Sequence, residues 1–247
     1  MNRREELADR LAAVHDRVGR ACAEVGRDSA DVCVIVVTKT FPQTDVRLLA
    51  QLGVRDIGEN RDQEAAPKAA ECADLGLRWH FVGQLQTNKA ASVATYASAV
   101  HSVDRPRLVD ALGRAAVTAG RELDCLVQVS LDLPADPGTG AAPTHGRLGE
   151  VAPRGGVSPD QAVALADRVA AAPSLRLAGV MAIAPPNCDP GAAFARLADV
   201  TAAVRDGHPT ATWISAGMSA DLEAALAHGA THLRVGSAIL GERPPAG

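Results

Sequence analysis

Eight short apolar runs, each followed by a segment with helical spacing, set the strongest constraint on this chain. The runs fall at 32–40, 54–57, 78–82, 99–103, 123–131, 177–183, 212–215 and 232–235. A helix over 2–27 precedes them, with Leu7, Leu11, Val14, Val18, Ala21, Cys22 and Val25 on one stripe. Further helices are predicted over 44–53, 62–73, a segment carrying Asn88 and Lys89, 105–119, 158–173, 191–206 and 219–228. Strands that alternate with helices predict a parallel sheet covered by helices. Eight such repeats in 247 residues predict a single-domain (β/α)8 TIM barrel over 1–247. The chain stops soon after the eighth strand, so the N-terminal helix is expected to stand in for the last one. A doubly wound open sheet would use fewer strands, and no Gly-x-Gly-x-x-Gly follows the first one. The Pro/Gly-rich stretch 132–157 reads as a long surface loop within the domain.

The first run, Val32-Cys33-Val34-Ile35-Val36-Val37-Thr38, carries no charge and delivers Lys39. An unbroken Val/Ile run reads as a strand buried on both faces. Lys39 therefore sits at a strand's C-terminal end, where such barrels keep their chemistry. A lysine against apolar walls has a lowered pKa and forms Schiff bases with carbonyls. A strand-end lysine that simply faces water is the ordinary alternative. Lysine is scarce here, with Lys39, Lys68 and Lys89 set against 22 arginines, so each one stands out.

Apolar residues make up 47% of the chain and aromatics only 2%, so the core must be built from Ala, Val and Leu. The net charge is −4 and no basic run marks a nucleic-acid footprint. Five scattered cysteines without a Cys-x-x-Cys pair argue against disulfides or structural zinc. His228 and His232 have helical metal spacing, but Gly229 and the helix-to-strand change spoil it, so no metal is expected. The charged N-terminus lacks a signal-peptide core, and no stretch approaches 18 apolar residues. A soluble cytoplasmic protein that binds neither membrane nor nucleic acid is expected, acting as a monomer.

Two small-residue clusters carry the ligand signal. Ser215-Ala-Gly217-Met218-Ser219 follows the seventh strand, and Arg234-Val-Gly236-Ser237 ends the eighth. Alone, each reads as a turn. Together they mark the usual phosphate site of this barrel. Strand one lies beside strand eight in a closed barrel, so Lys39 would face that phosphate. A ligand with both a phosphate and an aldehyde fits, namely pyridoxal 5′-phosphate (PLP). Arg234 points inward if Val235 points outward, toward the pyridine nitrogen. A permanent cation there keeps that nitrogen unprotonated and makes the ring a poor electron sink. A second phosphate contact is the other reading of Arg234. Asn60, after Gly58-Glu59, is placed to bond the phenolic oxygen or to steady Lys39. His80, inside strand three, reads equally as a bonded core histidine or a ligand contact.

Five motifs stand in order: Val36-Val-Thr-Lys39-Thr, Ile57-Gly-Glu-Asn-Arg-Asp-Gln-Glu64, Trp79-His-Phe-Val-Gly-Gln-Leu-Gln-Thr-Asn-Lys89, Ser215-Ala-Gly-Met-Ser219-Ala-Asp221 and Arg234-Val-Gly-Ser237-Ala-Ile-Leu-Gly241. The chain resembles the YggS/PROSC family of PLP homeostasis proteins along nearly its whole length. That resemblance implies a barrel like the N-terminal domain of alanine racemase, the type III fold of PLP proteins. It implies PLP held by Lys39 as a Schiff base, with Ser215, Gly236 and Ser237 on its phosphate, Met218 lining that end and Arg234 facing the ring nitrogen. It implies binding and supply of PLP to recipients such as apo PLP enzymes, without established catalytic turnover. Arg61, Gln84 and the length of the 132–157 loop depart from the family pattern.

The alternative is a PLP-dependent amino-acid racemase. Such enzymes need a second base, a tyrosine from an added domain. The lone tyrosine here, Tyr96, is expected to lie away from the barrel mouth, and no second domain to carry another is expected. A third reading is a barrel for some other phosphorylated metabolite, with Lys39 as a charge contact only.

Overall fold

Runs of β-branched residues buried on both sides have one stable home, a parallel sheet wrapped by helices. The computed structural model describes residues 2–132, 155–186 and 188–242. Its strands are Cys33–Val37 (β1), Asp56–Glu59 (β2), Arg78–Phe81 (β3), Ala99–Val103 (β4), Leu123–Gln128 (β5), Leu175–Met181 (β6), Trp213–Ser215 (β7) and His232–Val235 (β8). They pair in parallel in chain order. β8 then returns to β1 in a register that sets Cys33 beside His232 and Val36 beside Val235, which closes the barrel. This closure brings the end of β1 against the end of β8, as the eight-repeat pattern requires.

The helices are Arg3–Glu24 (α1), Gln43–Gln51 (α2), Asp62–Glu71 (α3), Ala90–Tyr96 (α4), Pro106–Ala119 (α5), Ala162–Ala171 (α6), Pro190–Gly207 (α7), Leu222–Ala227 (α8) and Ser237–Leu240 (α9). α1 begins with a capping box, Asn2 accepting from the Glu5 amide and Glu5 from the Asn2 amide. It buries Leu7, Leu11, Val14, Val18, Ala21 and Cys22. A fully buried leucine such as Leu7 contributes about 2 kcal/mol. The last helix is a single turn, and α1 packs over α8 and α9, taking the place a longer final helix would fill. Arg3 ties this closure with a bond to the Leu240 carbonyl at 3.0 Å and an ion pair to Asp45 at 2.7 Å.

Boundaries moved where turns overrode the apolar pattern. Val25 is exposed because α1 ends before it, so it leaves the predicted stripe. β2 starts at Asp56 because Gly53, at φ +93°, spends the preceding residues on the turn. β5 ends at Gln128, beyond which Val129 forms an isolated bridge to Val157 and donates its amide to the Met181 carbonyl at 2.8 Å. Ser158-Pro159 opens a 3₁₀ turn rather than α6 itself, and Ser158 makes no side-chain cap. Most of the expected 132–157 loop, residues 133–154, lies outside the described residues. Among the described residues no helix is long and apolar enough to cross a membrane.

Candidate functional site

The chain delivers Lys39 two residues beyond β1, and its neighbours are built to hold that turn. Thr40 adopts a left-handed backbone at φ +68°, costly for a β-branched residue, and its amide donates to Glu64 Oε2 at 3.1 Å. Beneath the turn, Thr38 and Lys68 converge on Glu59. Thr38 Oγ1 donates to Glu59 Oε1 at 2.6 Å, and Lys68 Nζ reaches the same oxygen at 2.5 Å and the Thr38 carbonyl at 3.0 Å. Glu59 is buried, which raises its carboxyl pKa, and Lys68 works against that rise. The second of the three lysines is thus a buried structural partner under Lys39. Gly83 completes the rim: a Cβ there would stand 2.1 Å from the Asn60 carbonyl oxygen, so only glycine lets the β3 turn pass Asn60.

These elements surround a cavity of about 330 Å³ at the C-terminal mouth of the barrel. Lys39, Asn60, Met218, Arg234, Gly236 and Ser237 all line it, joined by Ser219. Six of the seven residues marked in the sequence therefore converge on one space. A larger cavity of about 730 Å³ opens at the N-terminal end of the barrel and holds none of them.

Ser215 is the correction. Its side chain is fully buried and does not line the cavity. Its hydroxyl is committed to His101 Nδ1 at 2.8 Å and accepts from Arg234 at 2.6 Å. The reason is that β7 still runs at Ser215, so its side chain enters the barrel interior. Ser219, beyond the Gly217 turn, takes the mouth position. Its Oγ lies 3.4 Å from Ser237 Oγ and 3.4 Å from the Ala238 amide, and Arg17 from α1 donates to its carbonyl at 2.7 Å. The Met218 amide is held by Asp221 Oδ1 at 2.6 Å.

Arg234 is buried, donates to Ser215 and to the Ala182 carbonyl at 2.8 Å, and presents to the cavity. Burial lowers its guanidinium to about 10, so it stays charged at neutral pH. His80 is a bonded core histidine, contacting Asp56 and His101, rather than a cavity residue. Tyr96 ends α4, its hydroxyl 3.4 Å from Asp62 Oδ1 at the start of α3, and burial raises its pKa. Among the described residues no His, Cys, Asp and Glu cluster is arranged to hold a metal. Ser219, Lys68 and His101 carried no role in the sequence reading. For Ser219 the signal was present, since it lies in the same motif as Ser215. Choosing between the two serines needed the strand's end.

The residues fit a phosphorylated aldehyde. The Ser219 and Ser237 hydroxyls gather with the Ala238 amide, and Lys39 and the buried cation of Arg234 line the same cavity. A Cβ at Gly236 would come within 3.2 Å of the Val37 carbonyl oxygen, so the missing side chain lets β8 pass tightly beneath the site.

The model of the alanine racemase N-terminal domain family matches residues 11–244. The pyridoxal phosphate homeostasis protein of Mycobacterium tuberculosis is 41% identical over 261 residues, covering 98% of this chain and 95% of that protein. That of Pseudomonas aeruginosa is 39% identical, covering 96% of each. Among solved structures, PipY of Synechococcus elongatus with PLP bound superposes with a TM-score of 0.76 at 30% identity, over 95% of this chain and 100% of PipY. The chain belongs to the family of pyridoxal phosphate homeostasis proteins, built on the alanine racemase N-terminal domain.

Proposed function

We propose that this protein binds PLP in the C-terminal cavity and holds and supplies it in the cytoplasm, acting as a monomeric carrier. The observation that carries this is the convergence of Lys39, Arg234 and the Ser219–Ser237 hydroxyl pair on one cavity of about 330 Å³. The membership above and the PLP seen in PipY support it. Bound there, the group would supply a reactive aldehyde, and Lys39 would hold it through its amine. Ser219, Ser237 and the Ala238 amide hold the phosphate, with Gly236 leaving room and Met218 along that end. Asn60 orients the phenolic side. Arg234 would face the ring nitrogen and keep it unprotonated, since a guanidinium donates and does not accept. That favours storage over carbanion chemistry.

A racemase reading lacks its second base. The only tyrosine of the sequence is bonded near Asp62 and does not line the cavity. Loaded protein mixed with an apo PLP enzyme tests the proposal. Recovery of that enzyme's activity, with no racemisation of alanine by the carrier, is expected. Racemisation at ordinary enzymatic rates would overturn it. The whole chain as one PLP-binding domain, with 132–157 as a loop on it, belongs to the same proposal.

A further inference from the structure

The barrel interior carries one continuous polar line. Asp56 opens β2 and lines the cavity of about 730 Å³ at the N-terminal end. Its Oδ1 lies 2.9 Å from His80 Nε2. His80 Nδ1 lies 2.9 Å from His101 Nε2, and His101 Nδ1 lies 2.8 Å from Ser215 Oγ. Ser215 accepts from Arg234 at 2.6 Å. The five residues come from β2, β3, β4, β7 and β8, and all five are buried. The line therefore crosses the barrel from one end to the mouth.

Its ends fix its direction. A guanidinium only donates and a carboxylate only accepts. With both rings neutral, one set of tautomers satisfies every contact. Ser215 O–H donates to His101 Nδ1, His101 Nε2–H to His80 Nδ1, and His80 Nε2–H to Asp56. Burial holds His101 well below the usual imidazole range, in keeping with a neutral ring. Burial pulls Asp56 upward, but the bonds from His80 and Arg78 outweigh it and hold the carboxyl at about 2. Arg78 donates to the other Asp56 oxygen at 2.6 Å, so the acceptor end is itself anchored. Each donor polarises the next, so the bonds reinforce one another in one sense.

We propose that Asp56, His80, His101 and Ser215 are positioning residues for Arg234, setting the orientation of its guanidinium against the bound ring. This rests on the PLP reading of the cavity. Of the five, only Arg234 lines that cavity. A change at His101 or Ser215 therefore reaches the ligand through Arg234. It acts on the ring end and leaves the phosphate end at Ser219 and Ser237 untouched.

The test titrates PLP into wild type, Ser215→Ala, His101→Leu and the double variant, reading the visible absorption band. Inorganic phosphate serves as competitor. Each single variant should weaken PLP about ten-fold and move the band maximum. The double should also lose about ten-fold rather than about a hundred-fold, because both changes cut one line. The inhibition constant of inorganic phosphate should match wild type throughout. Unchanged affinity and band in the single variants, additive losses, or weakened phosphate competition would overturn the proposal while the PLP reading stands. A wild type that gives no band with PLP would overturn both. Should His101→Leu fail to fold, Ser215→Ala decides alone through its band maximum and phosphate competition.

Discussion

Lowering the pH from 7 to 5 should cost this protein a large part of its stability, through two histidines buried in the barrel. His101 is fully buried and His232 nearly so. Burial is the first cause of both shifts. It holds His101 well below the usual value and His232 down to about 3. A free histidine titrates near about 6.5. Below that pH the unfolded chain takes up protons that the folded chain refuses, so stability falls from about pH 6.5 down toward the folded pKa. At pH 5 the medium is about 1.5 units under the unfolded value, and about 1.4 kcal/mol per unit gives about 2 kcal/mol per ring. The two rings together cost about 4 kcal/mol, against a total of about 5–15 kcal/mol for a typical domain. Urea unfolding at the two pH values measures this. With a slope of about 3 kcal/mol per molar, the midpoint should drop by about 1.3 M while the slope holds. His232→Gln should halve the drop. A midpoint equal at pH 7 and pH 5 would mean that the two buried rings do not resist protonation in the folded barrel.

Three substitutions probe the site's supports. Lys68→Met leaves the buried Glu59 without its cation, which should cost about 3 kcal/mol and lower the melting temperature by about 9 °C; calorimetry showing a shift under about 2 °C would contradict the pairing. Gly83→Ala drives a Cβ into the Asn60 backbone, so both melting temperature and PLP affinity should fall, and a variant neutral in both assays would mean that Asn60 is not held by this contact. Ser219→Ala removes a hydroxyl from the phosphate end; affinity for inorganic phosphate should drop about ten-fold with stability within about 0.5 kcal/mol of wild type, and unaltered phosphate binding would return the role to another group.

The barrel was legible because its signal is periodic. Apolar runs of β-branched residues, spaced by helices, leave little choice of sheet, and closure then forces Lys39 beside Gly236 and Ser237. Asn60 and Met218 line the same cavity because they lie past the ends of β2 and β7, and Arg234 because it is the penultimate residue of β8. Ser215 misled for the same reason in reverse. A strand's last residue and the residue after its turn look alike in sequence, while their side chains point to interior and mouth. Of the interior line, only His80 was legible, as one of two readings. Asp56, His80 and His101 are separated by more than twenty residues from one another, and they meet only because His80 lies two residues past the register partner of Asp56 on β3, and His101 two past that of His80 on β4. Lys68 was hidden because a helical lysine normally faces water, and its burial depends on Glu59 arriving from β2.

The proposed anchoring of PLP by Lys39 is open to a direct chemical test. Protein saturated with PLP is reduced with borohydride, digested, and its modified peptide sequenced by mass spectrometry, in wild type and in Lys39→Ala. A single pyridoxyl-bearing peptide containing Lys39 is expected in wild type, and none at stoichiometric level in the variant. An equal adduct in Lys39→Ala, or a wild-type adduct on Lys68 or Lys89, would contradict it.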